Sequence, residues 1–282
     1  MSQKSYDNNN KLYVIPTPIG NMDDITVRAL NTLREVDVLF CEDTRVTGQL
    51  LKHFNISKKM ISSHKFNEDN NASKLLEYLN KGCMVGVVSD RGTPIISDPG
   101  YALVKCAIDK GYGVVSLPGS TALIPALTSS GITPQPFMFY GFLNSKKSSR
   151  RKELEKLKFE ESTLIFYEAP HRIVDTLNDM LDIFGNRKVS ISREITKKYE
   201  EIYRGSITDV IKDMNNIKGE LVIVIEGNTE KEDYSLLDIV SHVNLYIDNG
   251  YSMMDAIKQV AKDRNVKKSE IYDVYHAIGK KE

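Results

Sequence analysis

The sequence predicts two α/β domains followed by a small helical module, and three observations predict it. From Lys11 onward, short apolar runs of strand length alternate with amphipathic stretches of helical length. The rhythm restarts after Pro118-Gly119. Beyond Asn228 no strand-like run occurs. Such alternation argues for βαβ units and a largely parallel sheet. The expected divisions are a disordered tail over 1–10, an N-terminal α/β domain over 11–118, a second α/β domain over 119–228 and a C-terminal helical module over 234–282.

The elements follow in order. Leu12-Tyr13-Val14-Ile15 reads as a buried strand, closed by Pro16-Thr17-Pro18 because proline lacks the ladder N–H. Ile25, Ala29, Leu30, Leu33 and Val36 recur at helical spacing, with Asp24 where an N-cap would stand. Asp37 to Cys41 is the next strand and Thr44 to Phe54 the next helix. Met84 to Ser89 is a third strand, followed by a Gly/Pro loop and a helix from Pro99 to Lys110. Gly113 to Leu117 is a fourth strand. In the second half Thr121 to Ser130 is a helix, Phe137 to Phe142 a strand, Ser149 to Lys158 a helix and Thr163 to Tyr167 a strand. Pro170 to Phe184 is a helix with proline at its opening, where a missing N–H costs nothing. Lys188 to Ser192, Tyr199 to Tyr203 and Leu221 to Glu226 are strands, and their close succession predicts a mixed sheet. Gly227 to Asp233 reads as a polar linker, and Ser252 to Arg264 and Ser269 to Ile278 as helices.

Composition narrows the function classes. The 282 residues carry 38 basic and 38 acidic side chains, so the net charge is zero. That excludes a wholly basic nucleic-acid coat and an acidic disordered chain, but not a local basic patch. No apolar run reaches the ~18 residues of a membrane-spanning helix, and Met1 to Asn10 has no apolar core of a signal peptide, so a cytoplasmic protein is expected. Cys41, Cys83 and Cys106 are widely spaced within apolar runs, which favours neither a disulfide framework nor a thiolate metal site. Gly111-Tyr112-Gly113 precedes a strand instead of following one, so it is a turn and not a pyrophosphate loop. Metal-binding spacings are missing, and no metal is expected.

Five polar, Gly/Pro-rich loops sit at the C-terminal ends of predicted strands, where open α/β sheets bind ligands. They are Pro16 to Asp24, Glu42-Asp43-Thr44-Arg45, Ser89 to Gly100, Pro118-Gly119-Ser120-Thr121-Ala122 and Tyr167-Glu168-Ala169-Pro170-His171-Arg172. Each alone also reads as an ordinary turn, and Ser97 and Asp98 are of the kinds that cap a helix. Together they form a cleft rich in amides, hydroxyls and carboxylates, suited to a ligand with a ribose and a positive centre. One dense basic run, Lys146 to Lys152, has five cations in seven residues and follows the aromatic cluster Phe137, Phe139, Tyr140 and Phe142. It reads either as a solvated helix start or as a phosphate-backbone contact. Lys258, Lys262, Arg264, Lys267 and Lys268 leave the C-terminal module as a packed cap or as an RNA or partner contact.

These five loops, in this order, closely resemble the tetrapyrrole methylase superfamily, and within it the branch that methylates small-subunit ribosomal RNA; the match runs from about Lys11 to Asn228. The resemblance implies two α/β domains with S-adenosylmethionine in the cleft between them, a homodimer, and 2′-O-methylation of a cytidine in the decoding region of 16S rRNA within the small ribosomal subunit. It places cofactor contacts at Pro18, Ile19, Asp90, Gly92, Thr93, Ser120, Thr121, Tyr167 and Ala169. The chemistry needs no metal, and a carboxylate can take the hydroxyl proton; Asp43 and Glu168 are the candidates. Arg45, Lys146, Lys147, Arg150, Arg151, His171 and Arg172 are the expected RNA contacts. One position departs from the pattern: Arg91 stands where the family commonly has alanine, and a cation near a sulfonium is unfavourable, so Arg91 is expected to point outward. Two alternatives stay open, a tetrapyrrole or other small-molecule or protein methyltransferase of the same superfamily, and a noncatalytic RNA-binding assembly factor.

Overall fold

The computed structural model describes residues 3–5, 11–64, 68–229 and 237–278. The chain parts into two compact units, Met1–Gly227 and Asn228–Glu282. The first unit contains two sheets. In one, β1 (Lys11–Val14), β2 (Val38–Cys41), β3 (Lys59–Ser62), β4 (Val85–Val88) and β5 (Gly113–Ser116) are all parallel, in the order β3-β2-β4-β1-β5. Helices α1 (Val27–Glu35) and α2 (Thr44–His53) cover one face through Ala29, Leu33 and Leu51, packed on Leu39, Cys41 and Val115. Helices α3 (Glu68–Asn80) and α4 (Tyr101–Asp109) cover the other through Leu75, Leu79 and Leu103, packed on Val38, Phe40 and Val85. Burial on both faces explains why these strands read as continuous apolar runs.

In the second sheet, β6 (Phe137–Phe142), β7 (Thr163–Glu168), β8 (Lys188–Arg193), β9 (Glu201–Ser206) and β10 (Leu221–Ile225) take the order β6-β7-β10-β8-β9. Only β6 and β7 pair in parallel; the other pairs are antiparallel, so the sheet is mixed as expected. Helix α5 (Leu123–Ser130) packs on Val222 and Val224, while α6 (Lys147–Leu157), α7 (Ile173–Phe184) and α8 (Ile207–Val210) pack on Leu221, Ile223 and Ile225. All five β10 side chains are buried, each contributing about 1.5–3 kcal/mol. The second unit holds α9 (Ile239–Asp248), α10 (Met253–Asp263) and α11 (Lys268–Ile278) around Val243, Ile257, Val260 and Ile271.

The structure corrects two expectations and adds two elements. Asp24 lies in a short 3₁₀ turn, and the N-cap of α1 is Thr26, whose hydroxyl accepts from Ala29 N at 3.0 Å. β3 is an edge strand with no fully buried residue, so it carried no apolar run to read. Helix α3 also went unread. Of the expected tail, residues 1–2 and 6–10 lie outside the described residues, as does the expected linker from 230 on. Gln3, however, is clipped to β5: its amide donates to Val114 O at 2.7 Å and accepts from Val114 N at 2.8 Å. Among the described residues no helix is long and apolar enough to cross a membrane.

Candidate active site

The loops after the first sheet's strands are laced together. Proline ends the β1 ladder, and Thr17 instead forms an isolated bridge with Gly92, with N···O distances of 2.9 and 3.0 Å. Thr17 Oγ1 donates to Ser89 O at 3.2 Å. Gly92 has φ +78°, a left-handed conformation that favours glycine, and a Cβ there would lie 3.0 Å from Ile19 Cγ2. Thr93 Oγ1 donates to Ser120 O at 3.0 Å, and Ser120 Oγ donates to Asp24 O at 2.9 Å. Gly119 lets this loop press on Pro16, since a Cβ there would lie 2.4 Å from Pro16 Cβ.

These loops and the ends of the second sheet enclose a cavity of about 350 Å³. The first sheet's loops supply Ile19, Gly92, Thr93 and Asp98, and Thr121 and Ala122 follow from the turn into α5. The second sheet supplies Phe142, Tyr167, Ala169, Leu221 and Val222. Burial raises the Tyr167 hydroxyl's pKa against hydrogen bonds to Thr121 and to the Leu123 backbone. Six of the expected cofactor contacts therefore share one wall: Ile19, Gly92, Thr93, Thr121, Tyr167 and Ala169. Ser120 lines the adjoining cavity, which shares Ile19, Thr121 and Ile195. Pro18 is buried behind Ile19 and does not line either cavity. Asp90 does not line either cavity, and its Oδ1 accepts from Asp43 N at 3.0 Å.

Carboxylates gather on the same side. Burial, then the charge of Asp90, pushes Asp98 up, against a hydrogen bond from Ser89. Glu42 is raised by burial and by Asp90 and Asp98, and Asp90 by burial and by Asp43. Asp98 does not cap α4, whose N-cap is Gly100 with no side-chain cap. It lines the cavity instead. A cation placed there would relieve this mutual repulsion.

Both expected proton acceptors are engaged by neighbouring groups, although Glu168 also lines the cavity. Asp43 caps α2, accepts from Arg45 N at 2.8 Å and pairs with the Arg45 guanidinium, which holds its carboxyl at about 2. Such a carboxylate is a weak base near neutral pH. Glu168 is 3% exposed with both oxygens committed. Oε1 accepts from Ala169 N at 2.7 Å and pairs with Arg172 at 2.6 Å, while Oε2 accepts from Thr176 Oγ1 at 2.6 Å. Glu168 therefore fixes the β7–α7 connection.

The expected RNA contacts divide by burial. Arg45, Lys146, Lys147 and His171 are exposed. Arg172 is occupied by Glu168. Arg150 is 3% exposed and pairs with Asp179 on α7 at 2.7 Å. Arg151 pairs with Asp179 at 2.8 Å and with Asp182 at 2.9 Å. Arg150 is thus removed from the RNA surface: α6 turns it inward to join two helices. Arg91 stands at the cavity rim, more than half exposed, with its guanidinium on Glu220. Glu220 also pairs with Lys197 at 2.8 Å. Phe142, Asp98, Ile195, Leu221 and Val222 complete the wall without having been singled out as site residues. Asp98 belongs to the polar Ser89–Gly100 loop and Phe142 to the aromatic cluster, whereas Leu221 and Val222 read as plain strand and Ile195 falls between two predicted strands.

Among the described residues no group of His, Cys, Asp and Glu is placed to hold a metal ion. Residues 11–211 match the family described as Tetrapyrrole (Corrin/Porphyrin) Methylases. The chain is 48% identical over 273 residues to the ribosomal RNA small subunit methyltransferase I of Bacillus subtilis (strain 168), covering 94% of each. It is 46% identical over 285 residues to the protein of that name from Halalkalibacterium halodurans, covering 98% of this chain and 99% of that one. In fold it is similar to the uroporphyrin-III C-methyltransferase of Thermus thermophilus solved with S-adenyl homocysteine, with TM-score 0.56 and 18% identity over 76% of this chain and 97% of that one.

Proposed function

Because this chain belongs to the tetrapyrrole methylases and, within them, to the ribosomal RNA small subunit methyltransferase I family, we propose that it transfers a methyl group from S-adenosylmethionine to the 2′-oxygen of a cytidine ribose in the decoding region of 16S rRNA on the small ribosomal subunit. The observation that carries the reading is the cavity at the strand ends, walled by six residues expected to contact this cofactor.

The residues present suit such a group. Ile19, Leu221 and Val222 offer apolar surface, Thr93 and Thr121 offer hydroxyls, and Asp98 offers a negative charge near a cationic ligand. When bound, S-adenosylmethionine supplies an electrophilic methyl on a positively charged sulfur. The chain's part is to hold an incoming ribose oxygen about 3–3.5 Å from that methyl and in line with its bond, which accounts for much of the acceleration in such displacements. The laced loops supply the rigidity, because Thr17, Gly92, Thr93 and Ser120 constrain one another across three connections. Arg45, Lys146, Lys147 and His171 provide exposed groups for the RNA backbone, a contact that positions without reading sequence. A homodimer belongs to the same reading, supported by the exposed apolar side chains Tyr101 and Ile108 on α4.

The Arg91–Glu220 pair is solvated, with side chains 54% and 61% exposed. Exposed pairs contribute about 0–1 kcal/mol, so Arg91→Ala is expected to change S-adenosylmethionine affinity by less than about fivefold. Calorimetric titration checks this, and a larger loss would make Arg91 a direct cofactor contact.

The function itself is tested by methyl transfer from radiolabelled S-adenosylmethionine to small subunits that lack the modification, and to naked 16S rRNA. Label at the 2′-oxygen of one cytidine, on subunits, is the expected result. Cofactor binding without label on either RNA would turn the reading toward a small-molecule or protein substrate.

A further inference from the structure

We propose that Phe142 is a stacking platform for an unpaired base of the substrate RNA, an inference that rests on the methyl-transfer reading above. β6 does not run straight. Its register with β7 slips between Phe139 and Gly141, and Gly141 has φ +87°. In an unbroken strand, residues 139 and 142 would face opposite sides of the sheet. The bulge puts both on one side, with Phe139 4.9 Å and Phe142 5.5 Å from the Tyr167 ring, centroid to centroid. Bulges beside functional sites commonly re-aim one side chain in this way.

The re-aimed ring is not buried by the move. Phe142 is 56% exposed at the cavity wall, whereas Leu221 and Val222 in the same wall are 2% and 4% exposed. One edge of the ring packs on Tyr167, and more than half of its surface stays open at the cavity edge. Tyr167 braces Phe142 by an edge contact, and its hydroxyl is itself held by Thr121. Four and five residues further on, Lys146 and Lys147 are exposed. An aromatic face with cations just beyond it is the arrangement that binds single-stranded nucleic acid, the ring taking a base and the cations the backbone. A ribose hydroxyl reaches such a cavity only from a nucleotide drawn out of its stack.

Alanine substitution of a base-stacking aromatic typically loses about 5- to 150-fold, so Phe142→Ala is expected to lower kcat/KM for unmodified small subunits by that factor, more than it lowers S-adenosylmethionine affinity measured separately by calorimetry. Phe142→Trp is expected to retain activity and Phe142→Leu, apolar but without a π face, to resemble alanine. The chain contains no tryptophan, so Phe142→Trp also places a sole tryptophan, excitable apart from the tyrosines, at the platform. Its emission should be quenched by a single-stranded 16S rRNA fragment, which carries no tryptophan, and by more than S-adenosylhomocysteine alone changes it. Full activity of Phe142→Leu, or an emission change as large with S-adenosylhomocysteine as with the RNA fragment, would overturn the platform and leave Phe142 with its place in the cavity wall alone. Failure of the unaltered chain to label subunits would overturn the parent reading together with this one.

Discussion

Replacing Asp179 by alanine is expected to lower the unfolding free energy by about 3–5 kcal/mol, because it leaves a buried guanidinium without its counter-charge. Arg150 and Asp179 have side chains 4% and 2% exposed, and Arg151 leans on the same carboxylate from the half-exposed side. Water cannot replace the lost partner at Arg150. Urea denaturation monitored by circular dichroism measures the loss. The double replacement Arg150→Met with Asp179→Leu should recover most of it, since apolar side chains of similar volume tolerate the removal of both charges. A cost for Asp179→Ala below about 1 kcal/mol would mean that the pair behaves as a solvated one. The same variants separate stability from recognition. If Arg150 acts only as a strut, Arg150→Met with Asp179→Leu leaves the salt dependence of subunit binding unchanged, whereas loss of a phosphate contact would flatten it.

Asp98→Asn is expected to weaken S-adenosylmethionine binding about 10- to 100-fold, the range for losing an interaction with a charged group in a partly buried site. The sign of the pH dependence follows from its surroundings. Asp98 titrates above the usual carboxylate range because of burial and the charge of Asp90. A bound cation favours the ionised form and pulls that value down. Between the two values, binding expels a proton. Affinity therefore falls as pH drops through the raised value, and levels off above it. Glu42 and Asp90, raised for similar reasons, add to the slope, whereas Asp43, at about 2, keeps its charge throughout. Calorimetric titration from about pH 4 to pH 7, spanning the ordinary carboxylate values and the region above them, measures both quantities. The variant should show weaker binding and a shallower slope. Its folded stability should be undiminished near neutral pH, because a carboxyl with a raised folded pKa is least favourable to folding when ionised. Unchanged affinity and slope would place Asp98 outside the cofactor's reach.

Much of the fold was legible in the sequence because the signals are local. Leu221 to Ile225 reads as a strand from five consecutive aliphatic residues, and burial on both faces is why no polar residue interrupts them. The Gly/Pro loops were legible for a related reason. Proline ends β1 whatever surrounds it, and Gly92 holds a backbone conformation that favours glycine. β3 was not legible, since an edge strand with half-exposed side chains lacks an apolar run. Thr26, two residues beyond Asp24, took the cap because the short turn at Met22–Asp24 delays the helix.

Local sequence alone gives the order of the strands and helices apart from β3 and α3, the polar loops at the strand ends, and the family those loops resemble. All of these depend on neighbours a few residues apart. Which charged and aromatic groups are at liberty to act depends instead on long-range packing. Arg150 looked like its cationic neighbours until Asp179, 29 residues away, drew it into the α6–α7 contact. Glu168 looked like a base until Arg172 and Thr176 took up both its oxygens. Phe142 looked like one more β6 aromatic until the bulge turned it toward the cavity. The physical reason is common to the three. Local preference fixes backbone conformation, but a side chain's charge partner, exposure and direction are set by groups that only folding brings within reach.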